Sequence, residues 1–227
     1  TEIEMQNMDQ AADVLAKYGV EVLKFYAPND RWEDIVAAAR GAKFFLYRGH
    51  GVAYGSDPLN VGGLRLSSGI IMPEVIRRDL RLADRAIVFL YGCWTAGSAD
   101  GDDTLSSEEA LRRVAQYADP FMDMGAGGYY SDWWPQAFPF WVDQLFEGNT
   151  LGNTYENFWD YDPSTVEHHK DPQHAWLDLW LDKEITQNNE YQYNYAFVGQ
   201  AEATLGELLT PIPYDHAILL PLVVNGK

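Results

Sequence analysis

The chain carries one cysteine, Cys93, and a histidine, His50, held between glycines in Arg48-Gly49-His50-Gly51. Each closes an apolar run, FFLYRGHG at 44–51 and IVFLYGC at 87–93. A free thiol has a pKa of about 8.5 and is only a few per cent thiolate at neutral pH, so a nucleophilic cysteine needs help from a neighbour. An imidazole can take its proton or, as imidazolium, hold the thiolate. Glycines at 49 and 51 let the backbone turn sharply and approach a substrate closely. The N–H groups of Gly51 and Cys93 are then candidate oxyanion donors, each such donor contributing about 3–4 kcal/mol in a transition state. Singly, a lone cysteine reads as a small apolar core residue and a lone histidine as a polar loop group. The two together, each at a strand end beside glycine, point to a His50–Cys93 dyad.

The elements that must position this pair alternate along the chain. Ala11, Val14, Leu15 and Tyr18 share a face over 9–18, a helix stopped by Gly19, and a strand follows over 20–26. Asp30 with Glu33 forms a capping pattern for a helix carrying Trp32, Ile35, Val36 and Ala39, ended by Gly41. The strand 43–47 leads to His50. Residues 52–72 are irregular, with a hairpin around GGLRLSSGII, and Pro73 opens a helix over 73–82. The strand 86–91 leads to Cys93, and the acidic loop 98–109 runs into a helix near 106–118. A small-residue strand at 121–130, a helix at 136–147 and another from 151 complete the clear pattern. After residue 160 it weakens, with a last apolar strand at 217–224. Strands alternating with helices predict one α/β domain over 1–227, core 9–160, with 161–227 returning to it. Its sheet is mostly parallel with helices on both faces, and in such a sheet the site lies at the carboxyl ends of the strands. Only TEIEM (1–5) is available as a first central strand, so that strand is very short, removed or on another chain.

Composition narrows the partners. Acidic residues number 34 against 16 basic, and a net charge of −18 argues against nucleic acid and anionic membranes. It suits divalent cations or basic substrates. No run reaches the roughly 18 apolar residues of a membrane span. One cysteine precludes an internal disulfide and leaves the redox compartment open. Eight Trp, fourteen Tyr and the Asn-rich stretch TQNNEYQYNYAF (186–197) suggest an extracellular or cell-surface protein.

The two blocks resemble the signature of the caspase-like (clan CD) cysteine peptidases, the group of caspases, legumain, separase, clostripain, gingipains and the CHAT proteins. Their pattern is an apolar strand ending in His-Gly, then one ending in a small residue and Cys. The similarity is nearest the gingipain and CHAT branch, through DMGAGGYYSDWWPQAF (123–138), WVDQLFEGNTLGNTYENF (141–158) and, distantly, FVGQAEATLGEL (197–208). It implies a caspase-like three-layer sandwich, a His50–Cys93 dyad and an endopeptidase that cleaves peptides or proteins after a particular residue (P1). Tyr91 stands where clostripain-like and legumain-like members carry an acid, and Gly92 replaces the alanine of the caspase Gln-Ala-Cys form. The family's first strand is not evident, which implies maturation by cleavage and an N-terminal companion chain.

Specificity then rests on residues beside the cysteine. Asp132, Trp133 and Trp94 are the substrate-binding candidates; Asp132 at a pocket floor would select Arg or Lys. Asp132 reads equally as a turn cap, and Trp94 as core. Asp100, Asp102 and Asp103 have the near-alternate spacing of a calcium site, or form a solvated acidic loop. His168, His169 and His174 match no zinc spacing. The enzyme needs no cofactor beyond a candidate calcium. Two further readings stand beside it: a catalytically inactive caspase-like subunit of a surface or extracellular assembly, and another thiol hydrolase or acyltransferase.

Overall fold

The computed structural model describes residues 2–54, 60–185, 190–209 and 216–220. Residues 55–59 of the irregular stretch, 186–189 of the Asn-rich stretch and 221–224 of the expected last strand lie outside these. In chain order the elements are α1 (Glu2–Lys17), β1 (Glu21–Lys24), α2 (Trp32–Ala38), β2 (Phe44–Arg48), β3 (Leu64–Leu66), β4 (Gly69–Ile71), α3 (Pro73–Asp79), β5 (Ile87–Tyr91), α4 (Ser107–Met122), β6 (Gly128–Asp132), α5 (Ala137–Phe146), α6 (Leu151–Glu156), β7 (Val166–Lys170), β8 (Asp178–Ile185), β9 (Tyr191–Gly199), α7 (Leu205–Leu209) and β10 (His216–Leu220).

Eight strands form one sheet in the order β1-β10-β2-β5-β6-β9-β8-β7, and β3 pairs with β4 as a separate hairpin. The ladders from β1 to β6 are parallel. Those joining β6, β9, β8 and β7 are antiparallel. Both faces of β2 and β5 are apolar, as a strand covered on both sides requires. Phe45, Tyr47, Val88 and Leu90 pack toward Ile35, Ile76, Val114 and Phe121 of α2, α3 and α4. Phe44, Leu46, Ile87 and Phe89 pack toward Leu15, Trp141, Leu145 and Leu205 of α1, α5 and α7. The fold is therefore α/β, a mostly parallel mixed sheet with helices on both faces. Trp141 anchors the second face, its ring 5.1 Å from Tyr130, 5.5 Å from Tyr195 and 5.9 Å from Phe89.

Several expectations change. Residues 2–5 are the first turn of α1 and not a strand. Glu2 and Glu4 suit a helix N-terminus, while Met8, Ala11, Ala12 and Leu15 supply the buried stripe. The position between β1 and β2 is held by β10, from the same chain. Asp30 does not cap α2: the N-cap is Arg31, and Asp30 is buried and accepts from the Ser67 N–H at 2.9 Å. The helix expected to end near 118 runs to Met122, with Pro120 in its last turn. The strand expected at 121–130 is only Gly128–Asp132, because Gly125, at φ 92°, turns the chain first. Beyond residue 160, β7, β8 and β9 widen the same sheet.

Since β10 bonds to β1 on one side and β2 on the other, deleting 210–227 opens the sheet beside the site's first strand. The thermal midpoint is expected to fall by about 10 °C or more. A midpoint unchanged by the deletion contradicts an interior β10.

Candidate active site

The register between β2 and β5 runs from Phe44↔Ile87 to Arg48↔Tyr91. His50 and Cys93 therefore overhang their strands by the same two residues, on neighbouring strands about 4.8 Å apart. The Gly49 N–H continues the ladder to the Tyr91 carbonyl at 2.9 Å. Beyond that point the two tips are in direct contact. A Cβ on Gly51 would lie 1.8 Å from the Cys93 carbonyl oxygen. One on Gly92 would lie 2.8 Å from both Gly49 O and Gly51 N, and one on Gly49 would lie 2.1 Å from the Tyr47 hydroxyl. None of these three glycines has positive φ. Gly51 and Gly92 serve close packing of one tip on the other and Gly49 makes room for the Tyr47 ring, not the sharp turn expected from the sequence.

The positive φ falls instead on Trp94, at 66°, directly after the cysteine. A non-glycine residue there is strained by about 1 kcal/mol or more, so the surroundings must hold it. Trp94 N–H donates to Ser98 O at 2.7 Å and Thr95 N–H to Gly92 O at 3.2 Å. The buried Thr95 hydroxyl donates to Gly92 O at 2.6 Å and accepts from Ser131 of β6 at 2.8 Å, while the Tyr129 hydroxyl reaches Thr95 O at 2.7 Å. Across the cleft, the Tyr47 hydroxyl lies 3.0 Å from His50 O, and the Tyr117 hydroxyl of α4 accepts from Val52 N–H at 2.5 Å. Sequence reasoning missed Tyr47, Thr95 and Tyr117. Tyr47 sat inside an apolar run, and the small polar run TAGS after Cys93 was the one available signal.

His50 and Cys93 share a cleft of about 200 Å³, walled also by Glu4, Tyr91, Asp100 and Trp133. His50 is exposed and Cys93 half-buried. Burial pushes the thiol above its ordinary pKa, with the Asp100 and Asp102 charges acting the same way and the Asp100 N–H opposing them. Burial thus disfavours the thiolate at rest. Among the described residues no hydrogen bond joins the two side chains; such contacts often tighten only when substrate binds. The Gly51 and Cys93 N–H groups have no backbone carbonyl partner among the described residues, as oxyanion donors require.

Behind the cleft lies a polar row. Register aligns Arg48 with Tyr91 and Asp132 with Tyr195, and Leu90↔Ser131 sets Tyr91 beside Asp132. The buried Arg48 guanidinium stacks 3.7 Å from the Tyr91 ring centre and pairs with Glu4. Burial lowers its pKa to about 10, with Tyr91 and Asp132 opposing the shift. Asp132 is fully buried, and burial first, then Asp160, Glu184 and Asp182, raises its carboxyl well above the usual range. Its Oδ1 accepts from Trp134 N–H at 2.6 Å. Asp132 therefore caps a turn from a fully buried position and is not an open pocket floor. Trp133 does wall the cleft, and Trp94 walls a second one on the far side of His50. The acids that line the first cleft are Glu4 and Asp100.

The expected calcium trio does not converge. Asp100 faces the cleft, Asp102 accepts from Ala99 N–H and pairs with Arg113, and Asp103 is exposed. Among the described residues, the group within metal-binding reach is Asp119, Asp123 and His174, where Arg77 already pairs with both carboxylates. His168 stacks on Trp180, His169 meets Glu167 at 3.2 Å and His174 meets Asp171 at 3.0 Å, so each of the three histidines has a different partner.

Compared with known proteins, the sequence matches no family model and no curated relative.

Gly51→Ala must push the two tips apart; it is expected to lose about 1–3 kcal/mol of stability by overpacking, and Cys93 alkylation should change with it. Wild-type stability and alkylation in that variant contradict the contact. The raised thiol pKa carries a sign that can be checked. The reactive thiolate is scarce below the folded pKa and gains as pH rises through it, so iodoacetamide alkylation should still be climbing above about pH 8.5. A rate already level below pH 7 means a preformed thiolate instead.

Proposed function

We propose that the chain is a cysteine endopeptidase of caspase-like architecture, a sheet between two helical layers, acting through His50 and Cys93. The observation that carries this reading is the equal two-residue overhang of both side chains on adjacent parallel strands. The shared cleft supports it. In the reaction, Cys93 Sγ attacks the peptide carbonyl while His50 takes the thiol proton. The N–H groups of Gly51 and Cys93 hold the developing oxyanion. Collapse expels the amine, which leaves with the proton from His50, and water assisted by His50 then hydrolyses the thioester. Because the thiol is raised and not depressed, the dyad works by base assistance at the moment of attack.

The P1 residue enters the cleft walled by Glu4, Tyr91, Asp100 and Trp133. The Asp100 carboxylate and the aromatic faces favour Arg or Lys, through charge-assisted bonds and cation–π contact, while Glu4 is already paired with Arg48. Composition supports an extracellular or surface setting, with peptides or proteins as substrates. No described helix is long and apolar enough to cross a membrane.

The unlinked dyad and the raised thiol favour one other reading, an inactive interaction subunit on the same scaffold. The exposed Trp134 and Trp159, rings 4.8 Å apart, would then be part of its contact surface.

An Arg-bearing acyloxymethyl ketone separates the two. Expected is one adduct on Cys93 by mass spectrometry, absent in Cys93→Ala and slowed by about a hundredfold or more in His50→Ala. Arg and Lys peptides should be cleaved ahead of Asp peptides. Parental activity in Cys93→Ala overturns the enzyme, and no adduct at any pH, with or without calcium, leaves the interaction subunit.

A further inference from the structure

The second cleft, about 390 Å³, is walled by His50, Gly51, Val52, Arg65, Ile70 and Trp94. Its charge is opposite to that of the first. The first presents Asp100, its Glu4 being paired with Arg48; this one presents Arg65. In a chain with 34 acidic and 16 basic residues, cations are readily paired: Arg31, Arg48, Arg77, Arg78, Arg112 and Arg113 all meet carboxylates. Arg65 makes no ion pair among the described residues, yet it lies beside the dyad. Its placement is built in. The buried Tyr47 hydroxyl accepts from Arg65 N–H at 3.0 Å and lies 3.1 Å from Arg65 O, while the same hydroxyl lies 3.0 Å from His50 O. One group from β2 thus fixes both the histidine's backbone and the arginine's. Ile70, opposite Arg65 in the hairpin register and 45% exposed, and Trp94 give the cleft apolar walls.

His50 walls both clefts and hands its proton to the leaving amine. With P1 in the first cleft, the second receives the chain on the leaving side. We infer that Arg65 binds a carboxylate there, on the first or second residue after the scissile bond, so that preferred substrates carry a basic residue before the cut and a carboxylate after it. This rests on the peptidase reading above. A guanidinium recognises a carboxylate through paired N–H donors, whether from an acidic side chain or a free chain terminus.

Internally quenched peptides test this. All share Arg at P1 and carry Asp, Asn or Lys at the first or second position after it, with an amidated end. A parallel set has no acidic side chain but ends two residues after the cut in a free carboxylate. Expected is a preference of about tenfold in kcat/KM for a carboxylate over its neutral counterpart. The preferred set tells side chain from terminus. Arg65→Gln should remove the preference, Arg65→Lys keep part of it and Arg65→Glu turn it toward Lys, with thermal midpoints near wild type. The same peptides, fluorescein-labelled, are titrated against the Cys93→Ala protein, which needs no turnover. Cleavage without carboxylate preference, or a preference untouched by Arg65→Gln, overturns the subsite and leaves the peptidase. Carboxylate-dependent binding lost in Arg65→Gln, with no cleavage by wild type, keeps the subsite and sinks the peptidase. Neither binding nor cleavage of any peptide overturns both.

Discussion

Two strand tips touch where no side-chain carbon fits between them, and the site depends on that contact. Gly51 packs on the Cys93 carbonyl, and Gly92 on Gly49 and Gly51. Parallel pairing brings the strands alongside, and this packing carries the alignment two residues past the last register pair. It sets an imidazole and a thiol at the mouth of one cleft, and the Gly51 and Cys93 N–H groups have no backbone carbonyl partner among the described residues. The strain that follows is concentrated at Trp94 and is held down by Thr95, Ser131 and Tyr129. A buried hydroxyl network of this kind keeps a reactive loop rigid at the rim of a hydrophobic sheet.

Electrostatics divides the site into two halves. Burial, with the Asp100 and Asp102 charges beside it, disfavours the thiolate at rest; the Asp100 side suits a cation, while Arg65 on the other side suits an anion. Behind them, Arg48 and Asp132 are buried in one row with Tyr91 between. Buried charge is expensive: burial raises the Asp132 carboxyl, and Arg48 keeps Glu4 and an aromatic face as partners. That row stiffens the strand ends directly below the tips.

Much of this was legible in the sequence because it depends on local pattern. Apolar runs followed by Gly-His-Gly and Gly-Cys gave both strand ends, and Pro73 gave a helix start. What the sequence hid depends on contacts between distant segments. Glu4 looked like part of a strand, although it reaches Arg48 from a helix. Asp132 looked like an open acid because burial cannot be read from one position. The polar mixture of VEHHK (166–170) masked an edge strand whose neighbour is apolar. The strand between β1 and β2 comes from the far end of the chain, a pairing with no local signature. Arg65 was passed over in the hairpin because its importance arises from the Tyr47 hydroxyl it shares with His50.

The most direct measurement is a crystal structure of the protein with an Arg-containing peptide aldehyde bound. The account predicts a hemithioacetal on Cys93 whose oxygen lies about 2.7–3.1 Å from the N–H groups of both Gly51 and Cys93, with the His50 ring in contact with the adduct. A free thiol under saturating aldehyde, or an adduct whose oxygen turns away from both N–H groups with His50 remote, contradicts it.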